Sequence, residues 1–293
     1  MLTPLAQTLV FGILVGALYG LVALGLSLVF GVTKLLNVAH GELLMIGGFA
    51  SFWAFSLLGI NPYLTIPISM VVLFLLGAVL YKLIFSRTVK LPEESKIKNT
   101  LLVAFGLSII LQNLALKFWT ADERAISTPI LRTAIKVAGI RLPYARLANL
   151  LIAVFFLVVL QLFLRKTYIG KAIRATVQNW EAASLMGINI QRVYLLAFAI
   201  GASLAGVAGT LVAINFSIQP NMGLTWTLKA LIVMVLGGLG SIPGTFIGGL
   251  VLGLTESATS FFINSNYREI AGLVLFLLVL IFRPQGLMGA KET

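Results

Sequence analysis

The chain has 293 residues, 59% of them hydrophobic and only 10% charged, with a mean hydropathy of +1.05 and a formal net charge of +12. Soluble domains carry roughly 45–50% apolar and about 25% charged residues, so this composition excludes a soluble globular fold. The basic residues lie in connecting loops rather than on one continuous face, which excludes nucleic-acid binding and fits residues that orient a membrane protein and meet anionic lipid. The absence of cysteine excludes disulfides and thiolate metal sites.

Taken in chain order, the apolar runs cover residues 5–30, 41–58, 63–85, 100–118, 147–164, 193–216, 224–239, 244–262 and 267–282. A membrane helix needs roughly 20 apolar residues, and no short alternating segments of the β-barrel kind occur. The expected fold is all-α: a polytopic integral membrane bundle of about eight or nine helices, some broken or re-entrant. No Lys or Arg precedes Lys34, so the first run is expected to stay as a helix rather than be cleaved as a signal peptide.

Orientation follows from the loops. Arg87, Lys90, Lys96 and Lys98 precede the fourth run, and Arg165, Lys166, Lys171, Arg174 and Arg192 surround the segment after the fifth. Two helices separate these loops, so both lie on one side, and the positive-inside rule makes it cytoplasmic. Arg283 and Lys291 fall on the same side by parity. Arg124, Arg132, Lys136 and Arg141 in the 117–146 loop oppose this assignment and leave a narrow margin; that loop is expected to be periplasmic.

Glycine stripes at Gly12, Gly16 and Gly20, at Gly201, Ala205 and Gly209, and at Gly244 and Gly248 mark faces where helices approach closely. Packing within the chain is the favoured reading over a subunit interface. Two glycine-interrupted segments, 37–48 and 236–244, fall one in each half, as broken helices do in transporters built from two repeats.

Ionisable and amide groups inside a membrane call for a reason. Asn37, His40, Gly41 and Glu42 stand at a break between two runs. They either line a pathway or gate, or cap a helix end and satisfy freed backbone groups. His40 is the only histidine, too few for a zinc site. Gln112 and Asn113 either bond between helices, the favoured reading, or line a cavity. Lys229 either snorkels to the interface or pairs with Glu256. Gly238 and Gly240 belong to the second interrupted segment. No Walker A motif, nucleophile elbow or His beside a nucleophile occurs, so the chain is read as neither an enzyme nor an ATPase.

The one long polar stretch is 165–192. A helix from 170 to 186, stopped at Gly187, would set Ile173, Val177 and Leu185 beside Arg174, Gln178 and Glu181. That mixture suits docking on a soluble protein.

Together these residues resemble the permease subunits of bacterial ATP-binding-cassette importers for branched-chain amino acids. The likeness runs almost end to end. It rests on Gly25-Leu26-Ser27-Leu28-Val29-Phe30-Gly31, Leu36-Asn37-Val38-Ala39-His40-Gly41-Glu42, Gly170-Lys171-Ala172-Ile173-Arg174-Ala175, Ala183-Ser184-Leu185-Met186-Gly187-Ile188-Asn189, Lys229-Ala230 and Val235-Leu236-Gly237-Gly238-Leu239-Gly240-Ser241-Ile242-Pro243-Gly244. The resemblance implies one permease domain over 1–293 that forms the passage with a related sister permease. It also implies two cytoplasmic ATPase subunits that use the ATP, a periplasmic or lipid-anchored binding protein, and no cofactor on this chain. The membrane would be the cytoplasmic membrane of a bacterium or archaeon. Residues 165–192 would be the cytoplasmic coupling loop, with Arg174, Glu181, Ala182, Ala183, Gly187 and Asn189 meeting the ATPase. The Leu-Pro pair that the broader importer motif carries after its glycine is missing here. The alternatives are a permease for urea or short amides and, from another class, a self-sufficient ion-coupled carrier or channel.

Overall fold

A computed structural model describes residues 2–89, 93–127, 133–137 and 139–289. Lys90, Arg132 and Lys291, used above for orientation, lie outside the described residues.

Helix α1 (Leu2–Thr33) is apolar on every side, and α8 (Ile190–Asn215) nearly so. A helix of that kind belongs at the centre of a bundle, and 72% and 83% of their most apolar windows are buried. They cross where Gly25 and Gly201 meet: a Cβ on either glycine would strike the backbone of the other. Beside this crossing α1 packs on α10 (Ile242–Phe262), with Gly12, Gly16 and Gly20 facing Leu254, Gly249 and Phe246. On the far side α8 packs on α3 (Ile66–Leu80). The α3 helix continues through a π turn at Tyr81–Phe85 and ends in the short helical segment Ser86–Thr88. The glycine stripes are therefore packing faces within the chain, because small residues let backbones touch and gain dispersion where lipid gives no hydrophobic drive.

Lys34, a non-glycine residue at φ 57°, ends α1, and the chain turns back into the bundle. Helix α2 (His40–Leu58) begins inside it, beside Val22, roughly 16 Å from the end of α1 at 1.5 Å per residue. The second half repeats this in the opposite direction. After α8 the chain re-enters over 216–222, and α9 (Gly223–Gly237) starts against the first turn of α2. Each half is thus a central helix, a returning segment, a shortened helix starting within the bundle, and a full span (α3 or α10). The halves run antiparallel, an inverted-repeat arrangement.

The remaining helices are peripheral. They are α4 (Glu93–Trp119), α5 (Tyr144–Lys166) and α11 (Arg268–Phe282). Between α5 and α8 lie α6 (Tyr168–Gln178) and α7 (Trp180–Leu185), which form an elbow on the side where α1 ends. On the opposite side strands β1 (Ala134–Val137) and β2 (Ile140–Pro143) make an antiparallel hairpin, with Lys136 opposite Arg141. The Gln7 amide holds it to α1 by donating to the Arg141 carbonyl at 2.7 Å and accepting from the Arg141 N–H at 2.7 Å. Among the described residues, 8 helices are long and apolar enough to cross a membrane, and α9 is shorter. This is a multi-pass membrane protein of the helical-bundle class.

Two expectations need correction. The polar helix from 170 to 186 is two helices, broken at Asn179 (φ −158°, ψ 105°). The Asn179 side chain accepts from Ala182 N–H at 2.9 Å; an N-cap requires extended backbone at that residue, so it starts a new helix. The break that matches 34–39 in the second half is 216–222 and not 236–244. Gly238 and Gly240 form the tight turn after α9, with φ of 106° and 79°, a conformation that costs glycine no Cβ clash.

Candidate functional site

The re-entrant junction is assembled from four helices. Asn37 Oδ1 accepts from Ala39 N–H at 3.1 Å, turning the chain into α2. The His40 ring is 1% exposed and its Nε2 lies 3.0 Å from the Val22 carbonyl, to which it donates. Inside an α-helix that carbonyl already accepts an i+4 bond, so His40 ties α2 to α1 through its second lone pair. Gly41 N–H donates to Thr227 Oγ1 at 2.8 Å, and the Thr227 hydroxyl donates to the Val38 carbonyl at 2.9 Å. One hydroxyl thereby serves an orphan donor of the α2 N-terminus and a carbonyl of the returning segment.

Glu42 lies in the first turn of α2 with its carboxyl over Gly223, where a Cβ would have no room. Ser108 on α4 donates to Glu42 Oε1 at 3.1 Å, while Oε2 is buried without a hydrogen-bond partner. The first turns of α2 and α9 both present the positive ends of their helix dipoles here, which favours an acidic side chain. Asn37, His40, Gly41 and Glu42 are therefore brought together. Thr227 and Ser108 complete the junction unforeseen, and their only sequence signal was a hydroxyl inside an apolar run.

Gln112 and Asn113 do not join it. Asn113 is exposed and its Nδ2 donates to the Ile109 carbonyl of its own helix at 2.8 Å, while Gln112 is half-buried one turn from Ser108. Gly238 and Gly240 sit at the elbow side, where Gly240 packs on Gly31. The C-terminal segment covers their turn, with Leu287 N–H donating to Leu236 O and Met288 N–H to Gly237 O.

Lys229 and Glu256 do pair: Nζ to Oε1 is 2.8 Å, with the side chains 14% and 5% exposed. Tyr19 donates to Glu256 Oε2 at 2.7 Å and Arg268 reaches the same oxygen at 3.3 Å. The Lys229 ammonium also lies 5.0 Å from the Tyr19 ring centre. One carboxylate thus joins α1, α9, α10 and α11. Snorkelling alone does not describe Lys229, because its amine turns inward.

The elbow is the second candidate. Thr167 caps α6 by accepting from Gly170 N–H at 3.0 Å. Ala172, Ile173 and Thr176 face the bundle, while Arg174 and Val177 do not. On α7 only Ala183 is buried; Glu181 and Ala182 are exposed. Gly187, at φ 83°, ends the elbow in the left-handed conformation, as its place in the sequence predicts. Asn189 caps α8 by accepting from Arg192 N–H at 3.1 Å. Trp180, Leu185 and Met186 are 53%, 89% and 84% exposed, so large apolar groups project beside charged ones outside the spans. A cavity of ≈ 680 Å³ lined by Lys34, Lys96, Asn179, Trp180 and Tyr194 lies between the elbow and the end of α1.

Residues 8–282 match the family model described as the permease component of the branched-chain amino acid transport system. The chain is 33% identical over 298 residues to the high-affinity branched-chain amino acid transport system permease protein BraD of Pseudomonas aeruginosa, covering 98% of this chain and 96% of that protein. It is 34% identical over 302 residues to the corresponding protein LivH of Escherichia coli, with the same coverage. It is 27% identical over 283 residues to a probable branched-chain amino acid transport permease of Methanocaldococcus jannaschii, covering 92% and 88%. Among solved structures, PsaBC from Streptococcus pneumoniae in complex with Fab has the same fold at a TM-score of 0.52 and 13% identity, over 97% of each chain. The chain belongs to this family of transport permeases, which are membrane components of larger transport systems.

Proposed function

We propose that this chain is the permease of an ATP-driven importer for branched-chain amino acids, paired with a related sister permease. The observation that carries this reading is its similarity over 98% of its length to permeases named for that transport. The exposed elbow supports the ATPase contact. Trp180, Leu185 and Met186 give apolar anchors, and Arg174, Glu181 and Asn189 give a polar rim around Ala182, Ala183 and Gly187, the composition of a protein–protein contact. In this reading the elbow side is cytoplasmic, the hairpin side is periplasmic, and a binding protein delivers substrate there. The chain itself holds no cofactor, and ATP is consumed by the two ATPase subunits.

The junction is the proposed gate. His40, Gly41 and Glu42 would separate from Val22, Thr227 and Gly223 when the half-helices part, with Asn37 as the turn that moves with them. Lys229 and Glu256 would hold α9 to α10 during that motion. Gln112 faces the passage beside Ser108, Asn113 faces the sister permease, and Gly238 and Gly240 act as the hinge at the end of α9.

The test is reconstitution in proteoliposomes with the sister permease, both ATPases and the binding protein. ATP-dependent accumulation of leucine, isoleucine or valine is expected. Accumulation by this chain alone under a sodium or proton gradient would replace the reading with that of a carrier. Uptake of urea or short amides in preference to leucine would reassign the substrate.

A further inference from the structure

A cavity of ≈ 300 Å³ opens on the hairpin side between α1, α5, α10 and α11. Its polar wall carries Arg146, Arg268, Ser257 and Ser260, and its apolar wall carries Phe11 and Val15. Glu256, at its base, is already committed: Oε1 to Lys229, and Oε2 to Tyr19 and Arg268. Glu269 lies 3.8 Å from Lys229 and is 70% exposed. Among the described residues, Arg146 has no carboxylate within ion-pair distance, and its guanidinium lies 4.6 Å from the Phe11 ring centre. The cavity therefore holds an excess of positive charge, and one of its two guanidinium groups has no acidic partner.

Backbone adds to that charge. Arg146 is the third residue of α5 and Arg268 the first of α11, and neither helix has a side-chain cap at its N-terminus. The positive dipole end of each helix lies there, while the Tyr144 N–H is taken by the Thr133 carbonyl and the Arg268 N–H by that of Ser265. Both helix starts lie where a spanning helix leaves the hydrocarbon, and both helices are peripheral, with 22% and 6% of their most apolar windows buried. A guanidinium fork presents five donors suited to two oxygens at once.

We propose that this cavity is an oxyanion site, with Arg146 as its principal ligand and Arg268 as the second. It takes either the phosphodiester of an anionic phospholipid, whose chains would lie along α5 and α11, or the carboxylate of a small amino acid. The site stands on these residues alone and does not depend on which solute the permease carries.

The test uses the purified full-length chain in a neutral detergent, titrated separately with phosphatidylglycerol, with diacylglycerol of the same chain length, and with leucine. The site predicts a rise in unfolding temperature with phosphatidylglycerol or leucine that diacylglycerol does not give. It also predicts weakening with added salt, as exposed charge pairs do. R146Q should lose at least tenfold in apparent affinity and R146K less. S260F, which fills the cavity and keeps both arginines, should lose the response as R146Q does, so the test survives poor folding of R146Q. A response to phosphatidylglycerol identifies lipid as the source and a response to leucine identifies the carboxylate. Equal shifts with phosphatidylglycerol and diacylglycerol, no shift with any ligand, or a full response in S260F would overturn the site.

Discussion

The Lys229–Glu256 pair gives the sharpest quantitative test, because its two halves are unequally supported. Glu256 has three donors, Lys229, Tyr19 and Arg268. Among the described residues, Lys229 has Glu256 at 2.8 Å, the exposed Glu269 at 3.8 Å and the Tyr19 ring at 5.0 Å. Removing the carboxylate with E256Q leaves a mostly buried ammonium beside Arg268 and should cost about 3–5 kcal/mol, as for a buried pair broken from one side. K229M leaves the carboxylate two donors and should cost about 1.5–3 kcal/mol, the worth of one hydrogen bond to a charged group. The double variant strands no ammonium, so K229M should be stabilising in the E256Q background. The assay is reversible denaturant unfolding in bicelles, reading the midpoint at constant m. A coupling energy above about 1.5 kcal/mol, larger than the cost of K229M alone, is expected, against an average of about 0.6 for interhelical hydrogen bonds in membranes. Additivity within about 0.5 kcal/mol would refute the reasoning, since groups that share no interaction behave that way.

Three further outcomes are expected. G41A places a Cβ against the Gly223 carbonyl and should destabilise by about 1–3 kcal/mol through overpacking. G106A, in a helix with nothing within 4 Å of the added carbon, should instead be neutral or stabilise by up to about 1 kcal/mol; thermal unfolding of the two side by side checks the contrast. N179A removes the cap of α7 at a local cost of about 0.5–2 kcal/mol, visible as faster hydrogen exchange across 180–185 with the spans unchanged. W180A combined with L185D should abolish ATPase binding by the proposed complex without moving the unfolding temperature. Retained ATPase binding would remove the elbow from the coupling.

Run length and glycine spacing carried most of the architecture. The nine apolar runs correspond to α1–α5 and α8–α11, and the stripe from Gly12 to Gly20 is the face by which α1 packs against α10. Depth was not legible. The 224–239 run is a helix of 15 residues that starts inside the bundle, and a returning chain such as 216–222 reads in sequence as an ordinary loop. Its signal was Gln219-Pro220-Asn221 before a short run, since a helix of about 22 Å cannot cross a core of about 30 Å. The elbow break was written at Asn179, followed two residues later by an acid, as at a helix start; the surrounding alanines masked it. The partners of Glu256 were hidden because Tyr19 and Arg268 lie 237 and 12 residues away in sequence, and only folding brings them together.

The same geometry says how a push on the elbow would travel in the proposed transport cycle. Helix α6 packs on α1 and α8, with Gly170 against the end of α5 and Ile173 buried. The ≈ 680 Å³ cavity beside it leaves the elbow room to move. At the α1–α8 crossing Gly25 and Gly201 bring backbone close to backbone, with the Val29 side chain and the His40 ring filling the space beside them, so little room is left there to absorb displacement. Close-packed contacts of this kind shift as units between discrete arrangements rather than deforming continuously. Displacement of α1 is then handed to α2 through the His40 bond to Val22, and from α2 to α9 through Thr227, which bonds both Gly41 and Val38. Glu42 is the group left between the two half-helices, with one carboxyl oxygen unpartnered. A fully satisfied carboxylate would lock that seam. Ser108, on α4, ties Glu42 to that helix and not to α9, so the seam between the half-helices rests on the Thr227 bonds to Gly41 and Val38, which a docked partner would have to break.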